Sequence, residues 1–594
     1  MLFYDMEVFK YDWLGVFIDT TTREKFVVIN DPDKIKALYD QHKQDIWAGF
    51  NINHYDQYII KAILLQIDPS FINDKIIKEH LDGWQITNKF RQFPMINYDV
   101  FISRERSLKQ MEGFMGSDIK ETDVDFDIDR PLTKDEIEKT VKYCTHDVEE
   151  AIKVFMYQIN EFNAAMGLIK MFPEVLSLKD LSKTKAQMSA KIIECERVHD
   201  RDDEFDVFVL DCIQLDKCLP AKEFFLNPEN HWYKKGTKKN EFKITAAGLE
   251  HTLGWGGIHA AREKYHNDGR GRQIWHVDVA SFYPRLMIFW GLLTRNSRKP
   301  EKFKEIFDTQ LQYKREGRKA ERAPLKIVVN STYGASKDKT SAAYDPRQAN
   351  LICLNGQLML LDLIEHLDKI PGFELIQSNT DGLIVSLPDD DKSFDMMDDI
   401  CYEWEQRCKM ELEFDEIVSI SQKDVNNYLC KFANGKLERK GAYVKELGPL
   451  DYDLPIVNEA IVEKLANNTP VEKTILECDE FIKFQKIVKL TGKYEYVIHN
   501  DKKYTYKCYR VFASKNKNDG SIFKVKLKQV ATSKTIGMGA PDTELKYVNE
   551  KFANTPESCF IFNDEITNTP IPEFLDKQWY VDLANKRLLD YGVI

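Results

Sequence analysis

Three short runs in this chain gather the residue types that handle phosphate. Asp278 closes the apolar run Ile274-Trp-His-Val-Asp278, and Asp381 stands in the turn Ser378-Asn379-Thr380-Asp381-Gly382 between two further apolar runs. Between them, Lys326, Asn330 and Tyr333 recur at i, i+4 and i+7, which places them on one helix face. Two carboxylates on one sheet edge can hold a pair of Mg²⁺ ions, and a facing lysine can hold a triphosphate. Phosphoryl transfer asks little more of side chains than such positioning and charge neutralisation. Arg315, Lys319 and Arg322 share helical spacing just upstream. Taken singly, either aspartate reads equally well as an ordinary turn residue, and a basic helix is most often a solvated face.

A second acidic cluster lies near the N-terminus. Asp5 and Glu7 alternate in one strand and so point the same way. Asp56 follows in Asn51-Ile-Asn-His-Tyr55-Asp56, and Tyr143 and Asp147 stand at i and i+4 of a helical run. Four carboxylates and a tyrosine can bind two metal ions and orient a water for phosphodiester hydrolysis.

The elements that must carry these residues alternate strand and helix. Residues 2–9, 14–19 and 25–30 read as strands, 33–43 as a helix, 46–50 as a strand and 55–66 as a helix, an α/β pattern. Thr133 with Glu136 three residues later forms a capping box opening a helix to about residue 160. A charged helix is expected over 301–322 and a second one from Pro324, at its tolerated first-turn position, so that two helices face one cleft. Residues 373–377 and 382–387 read as a hairpin around the Asp381 turn. No chemistry is legible in 161–253, and no internal repeat or low-complexity linker is present.

A length of 594 residues implies several domains. The net charge of −12 argues at first against a nucleic-acid partner, but residues 301–340 carry ten Lys/Arg against six Asp/Glu, and a basic groove can sit on an acidic body. Eleven scattered cysteines without a Cys-x-x-Cys pair imply reduced thiols rather than disulfides or zinc. No apolar run is long enough to span a membrane, and the N-terminus lacks a signal-peptide pattern, so a cytoplasmic protein is expected.

In their order, the three phosphate-handling runs resemble motifs A, B and C of the family B DNA polymerases, which read D-x-x-S-L-Y-P, K-x-x-x-N-S-x-Y-G and D-T-D-S. Here they stand as Asp278-Val-Ala-Ser281-Phe-Tyr283-Pro284, Lys326-Ile-Val-Val-Asn330-Ser-Thr-Tyr333-Gly334 and Asn379-Thr-Asp381-Gly382. The resemblance implies Asp278, Asp381 and the Val279 carbonyl as ligands of two Mg²⁺ ions, with Mn²⁺ able to substitute. It implies Tyr283 as the group that packs under the sugar and excludes a 2′-hydroxyl. Lys326, Arg315 and Lys319 would meet the triphosphate, and Asn330 and Tyr333 would line the nucleotide pocket. Asn379 departs from the family's first aspartate. Gly254-Trp255-Gly256-Gly257 resembles a template-contacting Y-x-G-G element, and Lys440-Gly-Ala-Tyr443 a primer-gripping K-x-Y element.

The N-terminal cluster resembles the 3′–5′ proofreading exonuclease of polymerases, whose motifs read D-x-E, N-x-x-x-F/Y-D and Y-x-x-x-D. This implies Asp5, Glu7, Asp56 and Asp147 as metal ligands and Tyr143 as the residue that positions water. Asn51, Tyr55, Ser107 and Leu108 would contact single-stranded DNA, with Lys120 as an auxiliary cation.

The implied architecture is mixed α/β and α+β. A ribonuclease-H-like exonuclease (1–160) and a connecting region (161–253) come first. A right hand follows: palm (254–300 and 346–444), fingers (301–345) and thumb with C-terminal region (445–594). Basic patches at Lys515 and Lys517 and at Lys524, Lys526 and Lys528 suit the thumb. The expected substrates are primer-template DNA and dNTPs, handled by a monomer.

The exonuclease begins at residue 5, a compactness that resembles the viral and phage branch. Only 47 residues separate Asp278 from Lys326 and 46 separate Gly334 from Asp381, too few to add a subdomain to fingers and palm. A helicase, clamp or single-strand binding protein is therefore expected to support long synthesis. The rival readings are a nuclease whose polymerase half is impaired by Asn379, a primer-independent polymerase, and a non-catalytic replisome module.

Overall fold

The computed structural model describes residues 1–594 except 102–105, 199–200, 237, 532–542 and 594. Near the N-terminus, β1 (Leu2–Val8), β2 (Trp13–Asp19), β3 (Lys25–Ile29), β4 (Ile46–Gly49) and β5 (Ile96–Asp99) form a sheet of order β3-β2-β1-β4-β5. The first three strands pair antiparallel, and β4 and β5 run parallel to β1. Strand alternation sorts β1 between two cores. Leu2, Tyr4 and Met6 pack with Ile59, Ile60 and Ile63 of the Asp56–Leu64 helix on one side. Phe3 packs on Phe155 of the Lys134–Tyr157 helix on the other, with ring centroids 5.4 Å apart. Asp5 and Glu7 continue the Phe3 face. That long helix begins with the expected capping box, with both reciprocal bonds between Thr133 and Glu136 present.

A second, antiparallel sheet organises the middle of the chain. Its central strand Arg272–Val279 lies between Gly382–Pro388 and Leu412–Asp424, and Gly382–Pro388 in turn pairs with Glu374–Ser378 as the expected hairpin. Behind it, the Pro346–Leu367 helix is buried almost all round. Its buried polar groups are matched: Gln357 bonds both N–H and C=O of Gly254, Asn355 accepts from the Leu210 N–H, and Asp362 takes Arg407 in two hydrogen bonds.

The helices in front are Pro300–Arg315 and Lys319–Lys337, which pack side by side. The break falls at Gly317, with φ of +70°, rather than at Pro324 as expected. A left-handed glycine ends a helix at little cost. Pro324 instead lies inside the second helix, its ring seated over Gly167, where an added Cβ would lie 2.9 Å from Pro324 Cγ. Arg315 is therefore on the first helix, and Lys319 and Arg322 are on the second.

The C-terminal part returns to the first sheet's domain. Arg510, fully buried, donates to the carbonyls of Gly113 (3.2 Å), Ser117 (2.8 Å) and Asp564 (2.7 Å). All eleven cysteines are free, and all but Cys195 and Cys478 are buried. Among the described residues no helix is long and apolar enough to cross a membrane.

Candidate active sites

Strand register brings Asp278 and Asp381 together. Asp278 pairs with Gly382, the Val279 N–H donates to the Asp381 carbonyl at 2.8 Å, and the Asn379 N–H closes the turn onto the Gly382 carbonyl at 2.9 Å. Gly382 leaves the space beside the carboxylate open, since a Cβ there would lie 3.2 Å from Asp278 Oδ1. Burial first, then the Asp381 charge, pushes the Asp278 carboxyl up to about 6. Ser281, just beyond, is held at φ +54°, a conformation uncommon without glycine.

These residues floor a cleft of about 700 Å³ whose other wall carries Lys326, Asn330 and Tyr333 from one face of the second front helix, with Lys314, Arg315 and Arg322 alongside. Tyr283 lies against Tyr333, ring centroids 4.5 Å apart, over Gly356, where a Cβ would come 3.4 Å from the Tyr283 ring. Lys319 is exposed and does not line this cleft. Sequence reasoning missed Lys314, which reaches across to Glu413 at 2.5 Å, directly opposite Asp278 in the sheet. No spacing signal marks that pair, because it joins residues 99 apart.

The Gly254–Gly257 element packs beneath the Asp381 turn. A Cβ on Gly257 would lie 2.8 Å from Thr380 Oγ1, so any larger residue there must displace the Thr380 hydroxyl. Trp255 does not face the cleft, contrary to the expected template contact. It is 7% exposed, packs on Phe205 and Phe225, and donates its indole N–H to the Asn230 carbonyl at 3.1 Å. An indole is large and apolar enough to be drawn into the core, which leaves Gly256 at the surface.

His259, two residues on, is half-buried, and burial, with Lys440 nearby, holds its imidazole below the ordinary value, while Asn379 Oδ1 accepts the Thr380 N–H at 2.9 Å. His259→Ala is expected to lower primer extension about tenfold by removing the half-buried ring that packs beside Gly257 near the Asp381 turn. Asn379→Asp should stay within about threefold of the parent, because His259 can protonate to meet it, and the double variant should be non-additive. Extension rates against Mg²⁺ concentration check this. Lys440 ends the Leu437–Lys440 strand, and the Tyr443 ring lies under Arg587 at 4.3 Å.

The N-terminal carboxylates line a separate cleft of about 1110 Å³ containing Asp5, Glu7, Asn51, Tyr55, Asp56, Tyr143 and Asp147. Asp56 Oδ1 accepts the Met6 N–H at 3.0 Å, tying the helix start to β1 between the two strand carboxylates. Burial, reinforced by the Asp147 charge, pushes Asp5 up to about 7. Burial likewise takes Asp147 to about 6 and holds Glu7 and Asp56 well above the carboxylate range. Asn51 takes a left-handed conformation, φ +64°, steadied by Asp99, whose carboxylate accepts the N–H groups of Asn51 (2.7 Å) and Asn53 (2.9 Å). Tyr55 donates to Asn73 Oδ1 at 2.8 Å.

Neither Ser107 nor Leu108 lines this cleft: Leu108 is in the hydrophobic core and Ser107 is the residue before its helix. Lys120 pairs with Asp118 outside it. The cation at the cluster is Lys109, buried, 2.5 Å from Asp147 and 3.0 Å from Glu112, with its amine 4.7 Å from the Tyr143 ring centroid. Burial alone would lower this amine, but Asp147 and Glu112 more than offset it. The Lys109–Glu112 spacing of i, i+3 was the available signal. Cys144 lies 3.4 Å from Asp5 Oδ2.

No family model matches the chain, and no curated protein matches it in sequence. Among solved structures, the family B DNA polymerase from the hyperthermophilic archaeon Pyrobaculum calidifontis is matched over 100% of this chain and 78% of its own, at 11% identity and a TM-score of 0.40. A likeness that distant transfers no residue role, and the functional reading stands on the two clefts.

Proposed function

We propose that the chain is a DNA-directed DNA polymerase of the family B type with a 3′–5′ proofreading exonuclease, the compact replicative enzyme of a phage or similar element working in its host's cytoplasm. The observation that carries this reading is the register that sets Asp278 beside the Asp381 turn, opposite a helix face bearing Lys326, Asn330 and Tyr333. On this reading the second sheet is the palm, the two front helices are the fingers, residues 445–594 are the thumb, and the β3-β2-β1-β4-β5 sheet is a ribonuclease-H-like exonuclease.

The residues fit divalent ions. Each cluster places oxygen donors together, Asp278 in one and Asp5, Glu7, Asp56 and Asp147 in the other at raised proton affinity, and in the N-terminal one Lys109 is a buried cation set against five carboxylates, Glu112 included. Asp278, Asp381 and the Val279 carbonyl would hold the polymerase pair, and Asp5, Glu7, Asp56 and Asp147 the exonuclease pair. Bound Mg²⁺ supplies activation of the attacking oxygen and neutralisation of phosphate charge. Lys326, Arg315 and Arg322 add positive charge along the triphosphate. Tyr143 orients the hydrolytic water, and Asn51 and Tyr55 hold the strand end. The Gly256-Gly257 backbone, Lys440 and Tyr443 contact primer-template DNA through its phosphates.

Tyr283 is the proposed sugar gate. Tyr283→Val should admit ribonucleotides, cutting discrimination against them by about a hundredfold, with dNTP insertion much less affected. Single-nucleotide insertion with dCTP and CTP measures this ratio.

Residues 279–325 and 335–380 hold the Phe282–Phe289 helix, the two front helices, the Pro346–Leu367 helix and the Glu374–Ser378 strand joined by loops of about ten residues or fewer, with no further subdomain, which supports dependence on a helicase, clamp or single-strand binding protein for long synthesis. Processive strand displacement by the purified chain, with a trap present, would contradict that dependence.

A further inference from the structure

A second cavity, of about 660 Å³, lies on the far side of the Asp56–Leu64 helix and shares no residue with the exonuclease cleft. Its lining includes Lys61, Arg91 and Lys179 and no acidic residue. Lys61 is 9% exposed, and its amine makes one hydrogen bond, to the neutral Gln57 Oε1 at 2.6 Å. Among the described residues none of these three cations has a carboxylate within ion-pair distance. A buried ammonium with three donors and no counter-ion is costly and seldom kept for stability. Burial alone lowers this amine to about 8.

The walls are aromatic. Tyr58 lies 5.4 Å from both the Lys61 amine and the Phe90 ring centroid, and it is backed by Gly83, where any Cβ would collide with the ring at 2.2 Å. Trp84 stands at the rim, 65% exposed, on the short Gly83–Ile86 helix. An exposed indole beside cations can stack a nucleobase whatever its sequence. The cavity therefore offers a flat aromatic surface and unneutralised positive charge in one pocket of small-ligand size.

We propose that this cavity binds a nucleotide unit, its base stacked on Trp84 and its phosphate at Lys61, Arg91 and Lys179. Free mononucleotide, the product class of 3′–5′ excision, and a segment of single-stranded DNA both offer that chemistry. The site stands on its own residues and does not depend on either catalytic reading.

The test is calorimetric titration of the full chain with dAMP in EDTA, where the carboxylate clusters lack the cations a phosphate would need. Parent, Trp84→Ala and Lys61→Met proteins are compared. The parent should bind dAMP at least about tenfold more tightly than deoxyadenosine, and each variant should weaken dAMP binding about tenfold or more. Lys61→Met should also melt at a higher temperature than the parent, as expected when an uncompensated buried charge is removed. That shift reports directly that the variant folds.

Photocrosslinking an iododeoxyuridine-bearing oligo(dT) separates the sources. A dAMP-sensitive crosslink at Trp84 assigns the site to a DNA strand, and dAMP binding without that crosslink assigns it to free nucleotide. Failure to bind dAMP at millimolar concentration, or binding that both variants leave unchanged, would overturn the proposal. So would capture of an acidic peptide by a protein that does not bind dAMP.

Discussion

Asp381→Asn is expected to reduce primer extension by about three orders of magnitude or more while leaving excision of single-stranded DNA within about twofold of the parent. The aspartate stands in a four-residue turn whose shape is set by main-chain bonds, Asn379 to Gly382 and Val279 to Asp381, so the amide should leave the fold intact. What disappears is one of the two aspartates assigned to the proposed metal pair. Removing a ligand that neutralises transition-state charge costs several kcal/mol, and each 1.4 kcal/mol is tenfold in rate. Single-turnover extension with saturating dNTP isolates the chemical step. A loss confined to dNTP affinity would point instead to a purely nucleotide-binding role.

The second large effect concerns the other cleft. Asp5→Asn should abolish excision, by about a thousandfold, and at the same time stabilise the metal-free protein. The sign follows from the raised carboxyls. In the unfolded chain Asp5 loses its proton near pH 3.8, whereas in the folded protein it does so near pH 7. Between those values the unfolded state binds fewer protons, so stability present below about pH 4 is lost as pH rises through 7. Asp147, raised to about 6, acts in the same direction.

The metal-free protein should therefore melt several degrees lower at pH 8 than at pH 5, on the order of a few kcal/mol. Mg²⁺ should restore the difference, raising the melting temperature more at pH 8 than at pH 5. Asp5→Asn should flatten both dependences. A metal-free melting temperature that rises from pH 5 to pH 8 would show the cluster to be compensated by groups other than a cation.

Local rules were enough for the elements that carry the chemistry. Thr133 and Glu136 announce their helix because a capping box is a contact between near neighbours. The i, i+4, i+7 spacing of Lys326, Asn330 and Tyr333 places them on one cleft wall because helical geometry requires it. Asp5 and Glu7 share a face because strands alternate.

What escaped depends on packing between distant segments. Trp255 reads as an exposed aromatic in its motif, yet Phe205, Phe225 and the Asn230 carbonyl draw it inward. Pro324 reads as a helix start, but Gly167 makes room for its ring and the chain breaks at Gly317 instead. Lys109 becomes the cation of the N-terminal carboxylate cluster only because the Leu108–Met115 helix docks against Asp147, 38 residues away.

One chain is proposed to hold two independent phosphate-chemistry sites, one building DNA and one removing it. A 5′-labelled primer on a longer template, incubated with Mg²⁺ with and without dNTPs, tests it with the parent, Asp278→Asn and Asp5→Ala proteins side by side. Extension with dNTPs should be lost only in Asp278→Asn, and shortening without dNTPs should be lost only in Asp5→Ala. Shortening by the parent with no extension under any condition would contradict it and leave the chain a nuclease.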